Sequence, residues 1–119
     1  MEWKLTDDRP IWLQLSQQMA RRIITGVYPP GSRLPSVREL AAEAGVNPNT
    51  MQRALAQLEQ DGLAKADRTA GRLVTQDTQV LDAARLAEAR VVMDQYFESM
   101  AELGYFRLQA AELIKEDVG

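Results

Sequence analysis

Apolar residues four apart, Ile11, Leu15, Met19 and Ile23, lay one stripe along residues 10–25 and predict a helix there, with Pro10 suited to its first turn. Gly26 ends that helix. The following VYPPGSRLP reads as a connector, because proline fixes φ and lacks an N–H while Gly31 permits positive φ. Ser36-Val37-Arg38-Glu39 has the S-x-x-E spacing of a capping box, in which hydroxyl and carboxylate satisfy two unpaired backbone N–H groups, so a short second helix starts there. Gly45 closes it in the left-handed conformation that other residues resist. Gly45, Val46 and Asn47 then form a three-residue turn. Asn47 caps a third helix, Pro48 fits its first position, and Val46 staples against Met51.

That third helix runs to about Gly62, and at about 100° per residue it has two faces. Met51, Leu55 and Leu58 fall on one, and Asn49, Gln52, Arg53 and Ala56 fall opposite. Two short segments around LAKA and RLVT flank Asp67 to Gly71 and predict a small β-hairpin with an arginine near its tip. From about Thr78 to Leu103 a long helix is expected, with Leu86, Ala89, Met93, Tyr96, Met100 and Leu103 at alternating spacings of three and four. Val92 and Phe97 widen this stripe beyond a two-stranded seam. Gly104 breaks the helix, and YFRLQAAELIKE supplies a last short one.

Composition narrows the chemistry. The 119 residues suit one compact domain with a small appendage. No cysteine and no histidine are present, which removes thiolate metal sites, a cysteine nucleophile and the commonest general base, so no metal, no cofactor and no enzymatic activity are expected. No apolar run approaches the roughly twenty residues that cross a bilayer, and MEWKLTDDRP lacks a signal pattern, so the expectation is a cytoplasmic protein with no membrane partner. The net charge of −3 is unevenly divided: residues 1–76 hold ten basic and eight acidic side chains, and residues 77–119 hold four and nine. A front part at +2 and a back part at −5 fit a nucleic-acid-binding domain over 1–76 followed by a segment, 77–119, held away from phosphate.

A short helix, a tight turn containing glycine and a second helix with polar residues at its outer N-terminal face are the parts of a helix-turn-helix, whose second helix enters the major groove. Asparagine and glutamine pair with adenine, arginine pairs with guanine, and a small residue such as Ala56 allows close approach. Any solvated amphipathic helix also carries polar residues opposite its core. The conjunction with a capped preceding helix, a short turn and a downstream hairpin favours DNA. A winged helix used to bind protein calls for an apolar or acidic outer face, and NPNTMQRA has neither.

The run YPPGSRLPSVRELAAEAGVNPNTMQRALAQLEQDGL, with PIWLQL before it and GRLV after it, resembles the winged helix-turn-helix domain of the GntR family of bacterial transcription regulators, over roughly residues 9–75. The resemblance implies a mainly α fold with a small β-hairpin, and operator contacts from Arg38, from Asn47, Asn49, Thr50, Gln52 and Arg53, and from Gly71 in the wing. For Arg38 the alternative to an operator contact is a solvated helix charge, and Ser36 and Thr50 serve either phosphate or their helix starts. Thr69-Ala70-Gly71 keeps only the second of two glycines common in the family's wing. Arg68 and Arg72 either reach DNA or stay solvated. The tail is similar to that of the short YtrA-type branch, in which two helices mediate homodimerisation and no large effector domain is present. Some members of the family carry a fused pyridoxal-phosphate domain; Lys4, Lys65 and Lys115, the only lysines, fit no such site.

Leu86, Val92, Met93, Tyr96, Phe97, Met100 and Leu103 are therefore the expected dimer residues, with packing inside one chain as the alternative. A small-molecule effector near Tyr96, Tyr105 and Phe106 is a further option, against which stands the ordinary use of such aromatics as core. The function implied is a transcription regulator, by default a repressor, that binds double-stranded DNA at an inverted-repeat operator as a homodimer.

Overall fold

The computed structural model describes residues 2–119. The elements run α1 (Ile11–Ile24), α2 (Val37–Ala44), α3 (Pro48–Gln60), β1 (Ala64–Asp67), β2 (Gly71–Val74), α4 (Thr78–Glu102) and α5 (Arg107–Val118). This is the mainly α chain with one small antiparallel hairpin that the sequence predicts. Contacts divide it into two compact units that meet between Arg85 and Leu86. The boundary lies beyond the change of charge at Gln76 for a physical reason. Leu81 is buried in the first core, and Arg85 donates from Nη2 to the Ile24 carbonyl at 2.8 Å.

In the first unit α1, α2 and α3 close on one apolar cluster that includes Leu15, Met19, Ile23, Leu40, Met51, Leu55, Leu58 and Val74. The stripe four residues apart on α1 supplies three of these and Ile11 packs at their edge. Pro10 stands just before α1 as its N-terminal flanking residue, with extended ψ, rather than inside the first turn. The Ser36–Glu39 capping box is present in full, and Gly45 ends α2 with φ +71°. There the Val46 N–H reaches the Ala41 carbonyl and the Gly45 N–H reaches that of Ala42, the paired bonds of a Schellman motif. Val46 is half-buried against the cluster that holds Met51.

β1 and β2 pair from Ala64↔Val74 to Asp67↔Gly71. The segment before α2 adds to the free edge of β2, with the Leu34 N–H on the Arg72 carbonyl and the Val74 N–H on the Ser32 carbonyl, both at 2.9 Å. Residues 2–9 lie along α1 as an arm. Gln14, buried, accepts from the Thr6 N–H and donates to the Thr6 and Arg9 carbonyls at 2.8 Å each; Gln18 pairs with both backbone groups of Lys4. Arg22, 3% exposed, stacks 4.0 Å from the Trp3 ring centroid and binds Glu43 at 3.0 Å and the Tyr28 hydroxyl at 2.9 Å. A charge so far from water needs these partners.

The second unit comprises α4 from Leu86 onward and α5. Gly104, φ +93°, turns the chain between them. The Tyr96 hydroxyl donates to the Ala110 carbonyl at 2.8 Å, Tyr96 and Phe97 meet edge to face, and Arg107 stacks 4.0 Å from the Phe97 centroid. Of the predicted dimer residues, Tyr96, Phe97 and Met100 are thus partly covered within the chain, whereas Leu86, Val92, Met93 and Leu103 are exposed. Val91 is exposed beside Val92 and Met93, so the open apolar surface of α4 spans about 200° of its circumference, wider than the predicted stripe.

Candidate nucleic-acid interface

Helix α3 is built to show its first half to a partner. The Asn47 side chain accepts from the Asn49 N–H at 2.8 Å, and Pro48 takes the first helical position. Burial then follows the predicted periodicity. Met51, Ala54, Leu55 and Leu58 are buried, while Asn49, Gln52, Arg53 and Ala56 are exposed and Thr50 lies between. Ala54 joins the core as a fourth residue. Asn49, Gln52 and Arg53 therefore share the outward side of one helix, with hydrogen-bonding groups of the kinds that read base edges, while Asn47 is exposed just ahead of it as the cap. Arg53 is not loose: its guanidinium carbon lies 4.2 Å from the centroid of Trp12, on α1.

At the start of α2, Ser36 accepts from the Glu39 N–H and Glu39 accepts from the Ser36 N–H, at 3.1 and 3.2 Å. The Ser36 backbone N–H, then its hydroxyl, holds the Glu39 carboxyl below the ordinary carboxylate range, so this acid is anionic yet turned onto its own helix end. The Ser36 hydroxyl is therefore engaged by the cap through both its oxygen and its proton, although the residue itself is exposed. Arg38 is exposed.

The wing places its residues differently from one another. Asp67 accepts from the N–H groups of Thr69 and Ala70 and from the Thr69 hydroxyl, each at 2.9 Å, which fixes the tip and lowers the Asp67 pKa, the Ala70 N–H contributing most. Arg68 is exposed on that fixed turn. Gly71 has φ +81°, and no non-glycine residue among those described has positive φ, so Thr69, which stands where the family pattern has its first glycine, needs no glycine's freedom. Arg72 is engaged otherwise than a free wing cation: its Nε donates to Glu59 on α3, and its side chain is only 20% exposed. The strand alternation explains this, because Arg72 points to the α3 side of the hairpin.

Ser36, Gly71 and Arg72 line one hollow of about 390 Å³ together with Arg33, which places the start of α2 beside the base of the wing. Arg33 was not singled out by sequence reasoning; its signal is the antiparallel bridge to Leu73, a pairing remote along the chain. Trp12 was missed for a similar reason, since its partner Arg53 lies 41 positions away. In the second unit Tyr105 and Phe106 line an open groove of about 650 Å³ with Phe97 and Arg107, but Tyr96 turns to Ala110 and takes no part in it.

Comparisons with known proteins agree with this geometry. The family model described as bacterial regulatory proteins, gntR family, matches residues 13–74. YhcF of Bacillus subtilis, an uncharacterized HTH-type transcriptional regulator, is 32% identical over 115 residues, covering 97% of this chain and 95% of its own. YtrA of the same organism, an HTH-type transcriptional repressor, is 36% identical over 84 residues, 71% of this chain and 62% of that one. Among solved structures, a GntR-family transcriptional regulator from Listeria monocytogenes superposes with a TM-score of 0.81 at 31% identity, covering 94% of this chain and 98% of that one. The family model spans more than half of the chain and two of these regulators match it almost end to end, so the chain belongs to the GntR family: it is a DNA-binding transcriptional regulator.

Proposed function

We propose that this regulator acts in the cytoplasm as a homodimer that binds an inverted-repeat operator and represses the promoter it covers. The observation that carries the reading is the exposed row Asn49, Gln52 and Arg53 on a helix whose start is capped and whose opposite side is fully buried. A two-fold pair presents two such helices to half-sites about one helical turn apart. Ser36, Arg38, Asn47, Thr50 and Gly71 lie where the backbone runs past the start of α2, the turn and the wing, and there they position the helix, while base contacts discriminate. Arg68 supplements them at the wing tip, and Arg72, by its pairing with Glu59, holds the wing against α3. The apolar surface of α4 and α5 supports the dimer: Leu103, Phe106 and Leu108 are 73%, 77% and 83% exposed. YtrA bears the name of a repressor, which supports the same role here.

The test is selection of binding sites from a random duplex pool, followed by sedimentation of the protein alone and with the selected duplex. An enriched palindrome bound by two protomers is expected. Enrichment of a non-repeated site, or a single protomer holding a palindrome at undiminished affinity, refutes the dimeric operator complex.

A further inference from the structure

We infer that Trp12 is a positioning residue for DNA reading: its indole face holds the Arg53 guanidinium in the orientation used against a base. The inference rests on the proposal that Arg53 contacts the operator. Trp12 is half-buried in the first turn of α1, and Arg53 is exposed on α3. The guanidinium carbon lies 4.2 Å from the ring centroid, and among the described residues no hydrogen bond or ion pair engages that guanidinium.

The arrangement suits recognition. A guanidinium laid on an aromatic face is held through one of its two flat sides, and its N–H groups all point outward in the plane of the fork. Those in-plane donors are the ones that pair with guanine O6 and N7, so stacking and base pairing do not compete for the same atoms. A free arginine loses rotamer freedom when it binds; one already resting on an indole loses less. Arg22 is also stacked on a tryptophan, but it is buried and bonded to Glu43 and Tyr28, so its role is structural. The two Trp–Arg pairs share chemistry and differ in exposure, and only the exposed one faces a partner.

The experiment uses the full chain and a duplex selected from a random pool. Affinities are measured for that duplex, for its single-base variants and for an unrelated duplex, with the wild type, Trp12→Phe, Trp12→Leu, Arg53→Ala and Trp12→Leu/Arg53→Ala. Thermal unfolding verifies that each variant is folded. Arg53→Ala should lose preference at one base pair per half-site. Trp12→Leu should lower the same preference by between about twofold and thirtyfold, the range of a cation–π contact from exposed to desolvated. Trp12→Phe should fall between Trp12→Leu and wild type, and Trp12→Leu should add nothing in the Arg53→Ala background.

A Trp12→Leu protein that weakens all duplexes equally, or that keeps its preference at the Arg53-dependent pair, overturns the inference and leaves the operator reading intact. Retention of every base preference by Arg53→Ala removes the role given to Arg53 and the inference with it. Failure of the pool to enrich any sequence overturns sequence-specific binding itself. Should Trp12→Leu be unfolded, Trp12→Phe decides on the same two ratios.

Discussion

The two units handle their apolar residues in opposite ways. In the first, Leu15, Met19, Leu40, Met51, Leu55 and Leu58 are wholly shut from solvent, and the buried polar residues Gln14 and Arg22 are bonded. In the second, among the described residues, Ala110 is the buried side chain, while Leu86, Val91, Val92, Met93, Leu103, Phe106, Leu108 and Val118 lie open. Three helices crossing one another can surround a core. Two helices cannot, because each buries a stripe against the other and the remaining circumference stays wet. The first unit is complete as a fold, and the second presents the kind of surface that a second copy is proposed to cover.

The contrast can be broken at its strongest point first. Met93→Asp with Leu103→Asp places charge on the open surface, where each large side chain is worth about 1.5 to 3 kcal/mol if buried by a partner. Association should weaken at least about a hundredfold, read by sedimentation equilibrium, with thermal unfolding of the first unit unchanged. No change in oligomeric state would contradict the assignment of that surface to a dimer. Next, Leu55→Ala should cost about 2 to 5 kcal/mol in urea unfolding, because it opens a cavity in a closed core. Leu108→Ala, a like truncation on the open unit, should cost less than about 0.5 kcal/mol in the isolated protomer. Equal costs would mean that the two units are packed alike.

Ser36→Ala removes an acceptor from the start of α2 and should lower stability by about 0.5 to 2 kcal/mol, within the first unit alone. The smallest effect is local and depends on pH. Asp67 has a folded pKa below its unfolded value of about 3.9, so its contribution is fully present above that value and is lost as pH falls through the folded one. The protection of the Thr69 and Ala70 amides, taken as the ratio of intrinsic to observed exchange rate at each pH, should therefore fall on acidification below about pH 4, or at neutral pH in Asp67→Ala. Exchange that ignores both changes would show that the carboxylate does not hold the wing tip.

Local signals made most of the reading unit legible. The capping box at Ser36 and Glu39, the glycine at 45 and the asparagine-proline pair at 47 and 48 act within one helical turn of where they stand in the chain. Periodicity alone separated the buried from the outward side of α3. What stayed hidden joins distant positions: the Trp12–Arg53 stack, the cluster of Trp3, Arg22, Tyr28 and Glu43, and the turn of Arg72 towards Glu59. No spacing rule announces a pairing across forty positions. The tail was half legible, because the same apolar residues allow cover by α5 or by another molecule, and Tyr96 chose α5.

The amide clasp on the N-terminal arm has an implication for how that strand of chain finds its place. A greasy contact tolerates sliding, but Gln14 and Gln18 each offer one donor and one acceptor to matched backbone groups at Thr6 and Lys4. A shift by one residue would reverse the direction of every such group, so two side chains that mimic the edge of a sheet bar the arm from sliding by a single step.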